Sequence, residues 1–155
     1  MGEVPVKPAT APDGDQPERA KDTEGRPYLN YTVLVIEDSV ELGDLIRLTL
    51  ERMNLKVFHE THGTQALDVY HAIHPDLVLL DIALPDMTGW NILEAIREQQ
   101  RGDRSPVILV VTAYGDPANR LMGKLQGVQD YLVKPLTPDK IEQAIARALH
   151  LPPKK

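Results

Sequence analysis

Short apolar runs rich in β-branched residues alternate with longer segments of helical periodicity between residues 31 and 150. This alternation is typical of α/β proteins, in which helices connect the strands of one sheet. Three of the five runs are continuously apolar, which indicates strands covered on both faces, as in a parallel sheet. The sequence therefore predicts a doubly wound, five-stranded parallel sheet. The runs comprise residues 32–36, 56–58, 77–80, 107–111 and 131–133.

Five segments between and after these runs are predicted helices, because their apolar residues recur at helical spacing. Four of them have clear apolar stripes, and residues 116–126 have a weaker one. Strands joined by such helices are expected to form right-handed crossovers. The apolar residues of the four clear stripes are Leu42, Leu45, Ile46, Leu50 and Met53; Ala66, Val69, Tyr70 and Ile73; Trp90, Leu93 and Ile96; and Ile141, Ala144, Ile145 and Leu149.

The ends of the chain differ from this central part. Residues 1–30 contain 5 of the 13 prolines and almost no large apolar side chain, so they cannot bury enough surface to offset the entropy of ordering. We expect a disordered N-terminal leader at 1–30, one domain at 31–150 and a short C-terminal tail at 151–155. That tail leads us to expect no attached output domain.

Composition excludes several classes of function. The formal net charge of −6 has the wrong sign for electrostatic binding to nucleic acid, so we expect no direct nucleic-acid partner. The chain has no cysteine, which excludes disulfides, thiolate metal sites and thiol catalysis. Residues 1–12 lack the apolar region of a secretory signal, and no stretch approaches about 18 apolar residues. We therefore expect no membrane insertion.

Polar side chains follow four of the five apolar runs. Glu37 and Asp38 follow the first run, Asp81 the third, Thr112 the fourth and Lys134 the fifth. Each residue alone is consistent with a buried strand that simply ends where polar residues begin. Because ligands of open α/β sheets bind beyond the carboxyl ends of the strands, the joint pattern predicts a site at this edge.

The chemistry of these residue types favours a metal-assisted phosphoryl site. Three carboxylates at one edge repel each other unless a cation neutralises them, and Mg²⁺ prefers oxygen ligands. The formal charges cancel when Glu37, Asp38 and Asp81 meet one Mg²⁺ and the ammonium group of Lys134. A phosphoryl group there would find a carboxylate nucleophile, positive charge for its oxygens and a hydroxyl donor in Thr112. Such a site could form an aspartyl phosphate.

The residues around these positions resemble the receiver domains of two-component response regulators. The resemblance covers roughly residues 31–150 and implies a flavodoxin-like sheet in the order 2-1-3-4-5 with five helices. It also implies a cis peptide bond between Lys134 and Pro135. The motifs that carry it are Val35-Ile36-Glu37-Asp38, Asp81-Ile82-Ala83-Leu84-Pro85-Asp86-Met87-Thr88-Gly89, Val111-Thr112-Ala113 and Asp130-Tyr131-Leu132-Val133-Lys134-Pro135-Leu136.

The resemblance implies a role for each acidic residue. Asp81 resembles the phosphoacceptor, and Glu37 with Asp38 resembles the acidic pair that organises Mg²⁺. Asp38 is similar to a direct metal ligand and Glu37 to a water-mediated one, with Asp81 and the backbone carbonyl of Ala83 completing the set. Mn²⁺ is the alternative ion. Glu37 stands where aspartate is more frequent in the family, which keeps the charge and adds one methylene.

Further residues would contact the phosphoryl group and transmit the signal. By resemblance, Lys134 would pair with its oxygens, and Thr112 and the amides of Ala113 and Ile82 would donate to them. Thr112 and Tyr131 resemble the switch pair, in which the hydroxyl moves toward the phosphate and the ring fills the vacated space. The readout face would comprise the predicted helix 116–126, the fifth strand and the last helix.

The resemblance implies a cytoplasmic signalling module, not an enzyme acting on a separate substrate. Its expected partners are a histidine kinase or phosphotransfer protein and a downstream effector protein. The chain would serve either as a terminal regulator or as a phosphorelay intermediate. An adaptor that works without phosphorylation is the alternative, although clustered charges would then serve no purpose. A phosphohydrolase with an aspartate nucleophile is disfavoured, because Ala83 stands where such enzymes have a second carboxylate.

Four of the five histidines, between residues 59 and 74, form a second group that could suggest metal binding. They lack cysteine partners, and His71 and His74 fall on a predicted surface helix. We therefore expect solvated histidines and no metal site there.

Overall fold

Strands and helices alternate along the chain, which a computed structural model describes over residues 31–98, 105–113 and 127–151. The predicted leader, the predicted helix at 116–126 and the tail after residue 151 lie outside the described residues. Among the described helices, none combines the length and apolar character that a membrane span requires. The elements are β1 (Thr32–Ile36), α1 (Val40–Arg52), β2 (Lys56–Glu60), α2 (Gly63–Ile73), β3 (Leu77–Asp81), α3 (Gly89–Glu98), β4 (Val107–Thr112), β5 (Asp130–Val133) and α4 (Pro138–Ala148).

The five strands form one parallel sheet in the order β2-β1-β3-β4-β5. This confirms the predicted sheet and its strand order, and the described residues contain four of the five predicted helices. From β1 the chain moves to one edge of the sheet through β2, and from β3 it moves toward the other edge. The reversal places a crevice between the carboxyl ends of β1 and β3, where open α/β sheets bind ligands.

Apolar residues cover both faces of the sheet because consecutive strand residues point to opposite sides. Val33 and Val35 of β1 belong to one buried cluster, which α1 and α4 cover. Leu34 and Ile36 belong to the other, which α2 and α3 cover. All four are at most 1% exposed, which explains why the run reads as continuously apolar rather than alternating. The predicted coverage of both faces is therefore correct.

Strand pairing extends beyond the apolar runs at several points. β2 continues to Glu60, two residues past the predicted run, because its register with β1 continues as far as the pair Ile36 and Glu60. Likewise β3 includes Asp81, β4 includes Thr112 and β5 begins at Asp130. Backbone hydrogen bonding to a neighbouring strand sets these limits, so polar residues of the site belong to the rigid sheet.

Side chains at the helix starts satisfy backbone amides that have no partner within the helix. Ser39 caps α1, where its Oγ accepts a hydrogen bond from the Leu42 amide at 3.2 Å. Thr137 caps α4 through the Lys140 amide, also at 3.2 Å. Each cap follows the carboxyl end of a strand by a few residues and so fixes how the chain leaves the sheet.

Candidate functional site

Three carboxylates meet in the crevice between β1 and β3. Glu37 and Asp38 follow β1, and Asp81 is the last residue of β3. One oxygen from each lies within 4.8 Å of the others, and in the described part of the chain no other group of acidic, histidine or cysteine residues is arranged to hold an ion. Glu37 is 1% exposed and Asp81 3%, whereas Asp38 is exposed. The cluster therefore has a buried base and an opening to solvent.

Lys134 brings a positive charge to the buried side of this cluster. Its Nζ lies 3.3 Å from Asp81 Oδ2 and 3.3 Å from Glu37 Oε1. The Lys134 amide donates to the Thr112 carbonyl at 2.9 Å, so the strand pairing of β4 and β5 fixes its backbone. Burial lowers the pKa of the ammonium group, but the charges of Asp81 and Glu37 outweigh burial and raise the pKa overall. The peptide bond to Pro135 is cis, as the resemblance implies.

Glu37 is the least satisfied acidic side chain of the site. Its Oε2 accepts a hydrogen bond from the Ser39 amide at 3.1 Å. Its Oε1 is buried and, among the described residues, receives no hydrogen bond of good geometry. Burial, reinforced by the charge of Asp81, raises the pKa of Glu37 to about 7. Its ion-pair partner Lys134 is shared with Asp81, so one ammonium group faces three carboxylates. A further cation among them would offset the excess negative charge, and the oxygen donor set fits a hard divalent ion.

The backbone after β3 is held close to Asp81. The Ala83 amide donates to Asp81 Oδ1 at 3.0 Å, and Ala83 itself is exposed at the mouth of the crevice. The Gly89 amide donates to the Ile82 carbonyl at 2.7 Å. A Cβ on Gly89 would lie 2.7 Å from the Asp81 carbonyl oxygen, so only glycine fits this approach. The Ile82 amide donates to the Val111 carbonyl at 3.1 Å. Because this amide already has a backbone acceptor, its donation to a phosphoryl group stays a prediction.

The predicted switch residues lie on neighbouring strands. Thr112 ends β4 and is buried, and Ala113 follows it in an exposed position. In the parallel register, Val110 pairs with Tyr131 and Thr112 pairs with Val133. Because residues two apart on a strand share a face, the side chains of Thr112 and Tyr131 are on the same side of the sheet. The Tyr131 ring is half-buried against the cluster under α2 and α3.

His59 also belongs to the surroundings of the site, which the sequence alone did not indicate. Its Nε2 lies 2.8 Å from the backbone carbonyl oxygen of Glu37. The ring occupies the space that a Cβ of Gly43 on α1 would need. His59 is half-buried, so the expectation that it is solvated is wrong, because pairing of β2 with β1 carries it under α1. His62 and His71 are exposed, as expected.

Comparison with known proteins gives a consistent family. The model of the response regulator receiver domain family matches residues 33–146. The transcriptional regulatory protein ResD of Bacillus subtilis is 33% identical over 109 residues, which are 70% of this chain and 44% of that protein. The probable transcriptional regulator ycf27 of Guillardia theta is 32% identical over 117 residues, 76% of this chain and 44% of that protein. The chain spans somewhat less than half the length of these relatives.

Solved structures share the fold. The chemotaxis response regulator CheY4 of Vibrio cholerae superposes with a TM-score of 0.72 at 28% identity, covering 77% of this chain and 98% of that one. The BeF3-activated receiver domain of Klebsiella pneumoniae RstA superposes with a TM-score of 0.67 at 30% identity, covering 76% of this chain and 97% of that one.

Proposed function

Because this chain belongs to the response regulator receiver domain family, we propose that it accepts a phosphoryl group on Asp81 from a phosphohistidine donor. The observation that carries the proposal is the surroundings of Asp81. Its buried carboxylate ends β3 with one oxygen held by the Ala83 amide and the other 3.3 Å from Lys134 Nζ. Buried Glu37 and exposed Asp38 adjoin it. A nucleophile, a positive charge and two further carboxylates suited to metal binding are thus together.

The transfer exchanges one bond to phosphorus for another. An Asp81 oxygen attacks the phosphorus, the phosphorus–nitrogen bond breaks, and its electron pair stays on the imidazole, which takes up a proton. The product is an acyl phosphate on Asp81. Lys134 pairs with the phosphoryl oxygens, and the hydroxyl of Thr112 and the amides of Ala113 and Ile82 are the proposed hydrogen-bond donors. Positioning and charge stabilisation carry such transfers, because the reaction needs little further covalent chemistry from the protein.

We assign Mg²⁺ to the acidic cluster, with Mn²⁺ as the alternative ion. Glu37, Asp38, Asp81 and the Ala83 carbonyl would hold it. When bound, Mg²⁺ supplies positive charge that offsets both the carboxylates and the incoming phosphoryl oxygens. The buried Oε1 of Glu37, which shares Lys134 with Asp81, and the raised pKa of Glu37 support this assignment, since both reflect negative charge without sufficient compensation.

Phosphorylation would act by moving Thr112 toward the phosphoryl group and letting the Tyr131 ring turn inward. We propose that the output face, which comprises residues 116–126, β5 and α4, then binds a downstream effector protein. A histidine kinase or phosphotransfer protein would be the donor. We place the domain at residues 31–150 and the reaction in the cytoplasm, where histidine kinases obtain ATP.

The test is phosphorylation by a small donor. Wild type, Asp81→Asn and the surface control Glu51→Gln are incubated with acetyl phosphate and Mg²⁺, and phosphoryl adducts are detected by intact mass spectrometry. We expect an adduct in wild type and in Glu51→Gln, and none in Asp81→Asn or when EDTA removes the metal. Absence of an adduct in folded wild type, or its persistence in Asp81→Asn, would contradict the proposal.

A further inference from the structure

Asp86 connects two parts of the molecule that are distant in sequence. It lies in the segment between β3 and α3, which we call the β3–α3 loop (residues 82–88). Its Oδ1 accepts a hydrogen bond from the Gly63 amide at 2.8 Å, and its Oδ2 accepts from the Thr64 amide at 3.1 Å. The Thr64 hydroxyl also donates to Oδ2, at 3.2 Å. Both oxygens of one carboxylate thus hold the first residues of α2.

This contact replaces a cap that α2 does not provide for itself. The N-cap residue of α2 is His62, whose side chain makes no capping hydrogen bond. In α1 and α4 the cap is a serine or threonine of the adjoining chain. The amides of Gly63 and Thr64 lower the pKa of Asp86, so the cap is an ionised carboxylate at the positive end of a helix.

The other end of the β3–α3 loop is continuous with the proposed metal site. Ala83 forms an antiparallel bridge with Thr88, which closes the base of the loop. The Ala83 amide donates to Asp81 Oδ1, and its carbonyl is a proposed metal ligand. Asp86 is only three residues from Ala83 in the chain. The hydrogen bonds that hold Asp86 on α2 therefore also restrict the peptide groups on both sides of Ala83.

Close packing supports this connection. A Cβ on Gly63 would overlap with the side chain of Met87 and would lie 2.8 Å from Ile92 Cδ1. The glycine lets the start of α2 approach the loop closely enough for its amide to reach Asp86. Met87 and Ile92 in turn pack in the cluster under α2 and α3, so the capped arrangement is anchored to the core.

We propose that Asp86 is a positioning residue for the metal site: by capping α2 it fixes the β3–α3 loop and presents the Ala83 carbonyl to the ion. The inference rests on the proposed function, because the ion belongs to it. Mutation of a residue that orients a metal ligand typically lowers metal affinity by about 10-fold to 100-fold. We expect Asp86→Ala to weaken Mg²⁺ binding about tenfold, and Asp86→Asn, which keeps one acceptor oxygen, to weaken it less.

Calorimetric titration with Mg²⁺ measures the Kd for wild type, Asp86→Ala, Asp86→Asn and the control Thr137→Ala. Thr137→Ala removes a helix cap of α4 and leaves the β3–α3 loop unchanged. Thermal unfolding shows that each variant is folded at the titration temperature. We expect both alanine variants to have a lower Tm, but only Asp86→Ala to have a higher Kd. NMR in the absence of metal measures the exchange of the Ala83 amide hydrogen with solvent. We expect this exchange to be faster in Asp86→Ala alone.

The outcomes separate this inference from the proposed function. If folded Asp86→Ala has the same Kd and the same amide exchange rate as wild type, the positioning role is overturned and the phosphoacceptor proposal stays intact. Equal increases of Kd in Asp86→Ala and Thr137→Ala would also overturn it, because general loss of stability would then suffice. If wild type binds no Mg²⁺, the metal assignment of the proposed function fails, and the inference fails with it.

Discussion

Asp76 and Asp81 lie at opposite ends of β3, and both are buried, with 4% and 3% exposure. The Asp76 carboxylate accepts a hydrogen bond from the Thr32 amide at 2.8 Å, while its own amide donates to the Thr32 carbonyl at 2.8 Å. The Asp76 carbonyl accepts from the Val107 amide. Asp76 therefore links the first residues of three strands. Asp81, in contrast, has a loop amide and a lysine as partners and shares its edge with two carboxylates.

The difference shows what a buried carboxylate contributes when its surroundings change. The Asp76 carboxylate accepts from a backbone amide that the strand pairing holds in place, so it stabilises the fold. Around Asp81 three carboxylates share the single positive charge of Lys134, which leaves the site with net repulsion and a buried Glu37 oxygen that receives no hydrogen bond among the described residues. The carboxylate at the amino end of β3 thus contributes to stability, whereas the carboxylates at the carboxyl ends form the site that we propose binds a cation and a phosphoryl group.

The largest expected effect in this comparison is on stability. Asp76→Ala removes the carboxylate that accepts a hydrogen bond from the buried Thr32 amide. The loss of this acceptor should cost about 3 kcal/mol of unfolding free energy. Asp81→Asn removes one of three clustered charges and should change stability by less than about 1 kcal/mol. Urea unfolding measures both, and Asp76→Asn serves as the conservative control.

The comparison would break if Asp81→Asn were as destabilising as Asp76→Ala. The acetyl phosphate assay would sharpen the comparison, since folded Asp76→Ala should still form the phosphoryl adduct, whereas Asp81→Asn should not.

The sequence predicted the parts of the molecule that depend on local pattern. Apolar runs located all five strands, and the rule that ligands bind at the carboxyl ends of strands predicted that Glu37, Asp81 and Lys134 lie at one edge. The family resemblance supplied the strand order, which the structure confirms. These features are encoded within single strands and the residues that directly follow them.

Contacts between distant segments could not be predicted in this way. Asp86 reaches Gly63 across 23 positions, and His59 reaches the Glu37 carbonyl across 22. Asp76 has the same residue type as Asp81 and also adjoins an apolar run, so its sequence neighbourhood does not distinguish a structural from a reactive carboxylate. Only the partner that tertiary packing brings to each one makes the distinction.

A smaller effect is expected from the proton affinity of Glu37. Its pKa is about 7 in the folded protein, above the ordinary value of 4.5. The folded state therefore holds the proton more tightly than the unfolded state, and stability falls as the pH rises through this window. In the absence of metal the loss between pH 5 and 7 should be about 2 kcal/mol.

Urea unfolding in EDTA at several pH values measures this slope for wild type and Glu37→Gln. We expect the slope attributable to Glu37 to disappear in the variant, and Mg²⁺ to reduce it in wild type, because the ion favours the ionised carboxylate. If both proteins lose stability equally between pH 5 and 7, the pKa of Glu37 is not raised in the folded protein, and the contrast between the two ends of the sheet does not hold.

The smallest effect is expected for an exposed carboxylate with an ionic partner. Glu51 Oε1 lies 3.1 Å from an Arg47 nitrogen on the surface of α1, with side-chain exposures of 45% and 36%. Water solvates both groups whether or not they pair, so Glu51→Gln should change the unfolding free energy by less than about 0.5 kcal/mol, and less still in high salt. Urea unfolding at two salt concentrations measures this difference. A cost near that of Asp76→Ala would mean that negative charge itself, rather than burial and the kind of partner, separates the carboxylates of this protein.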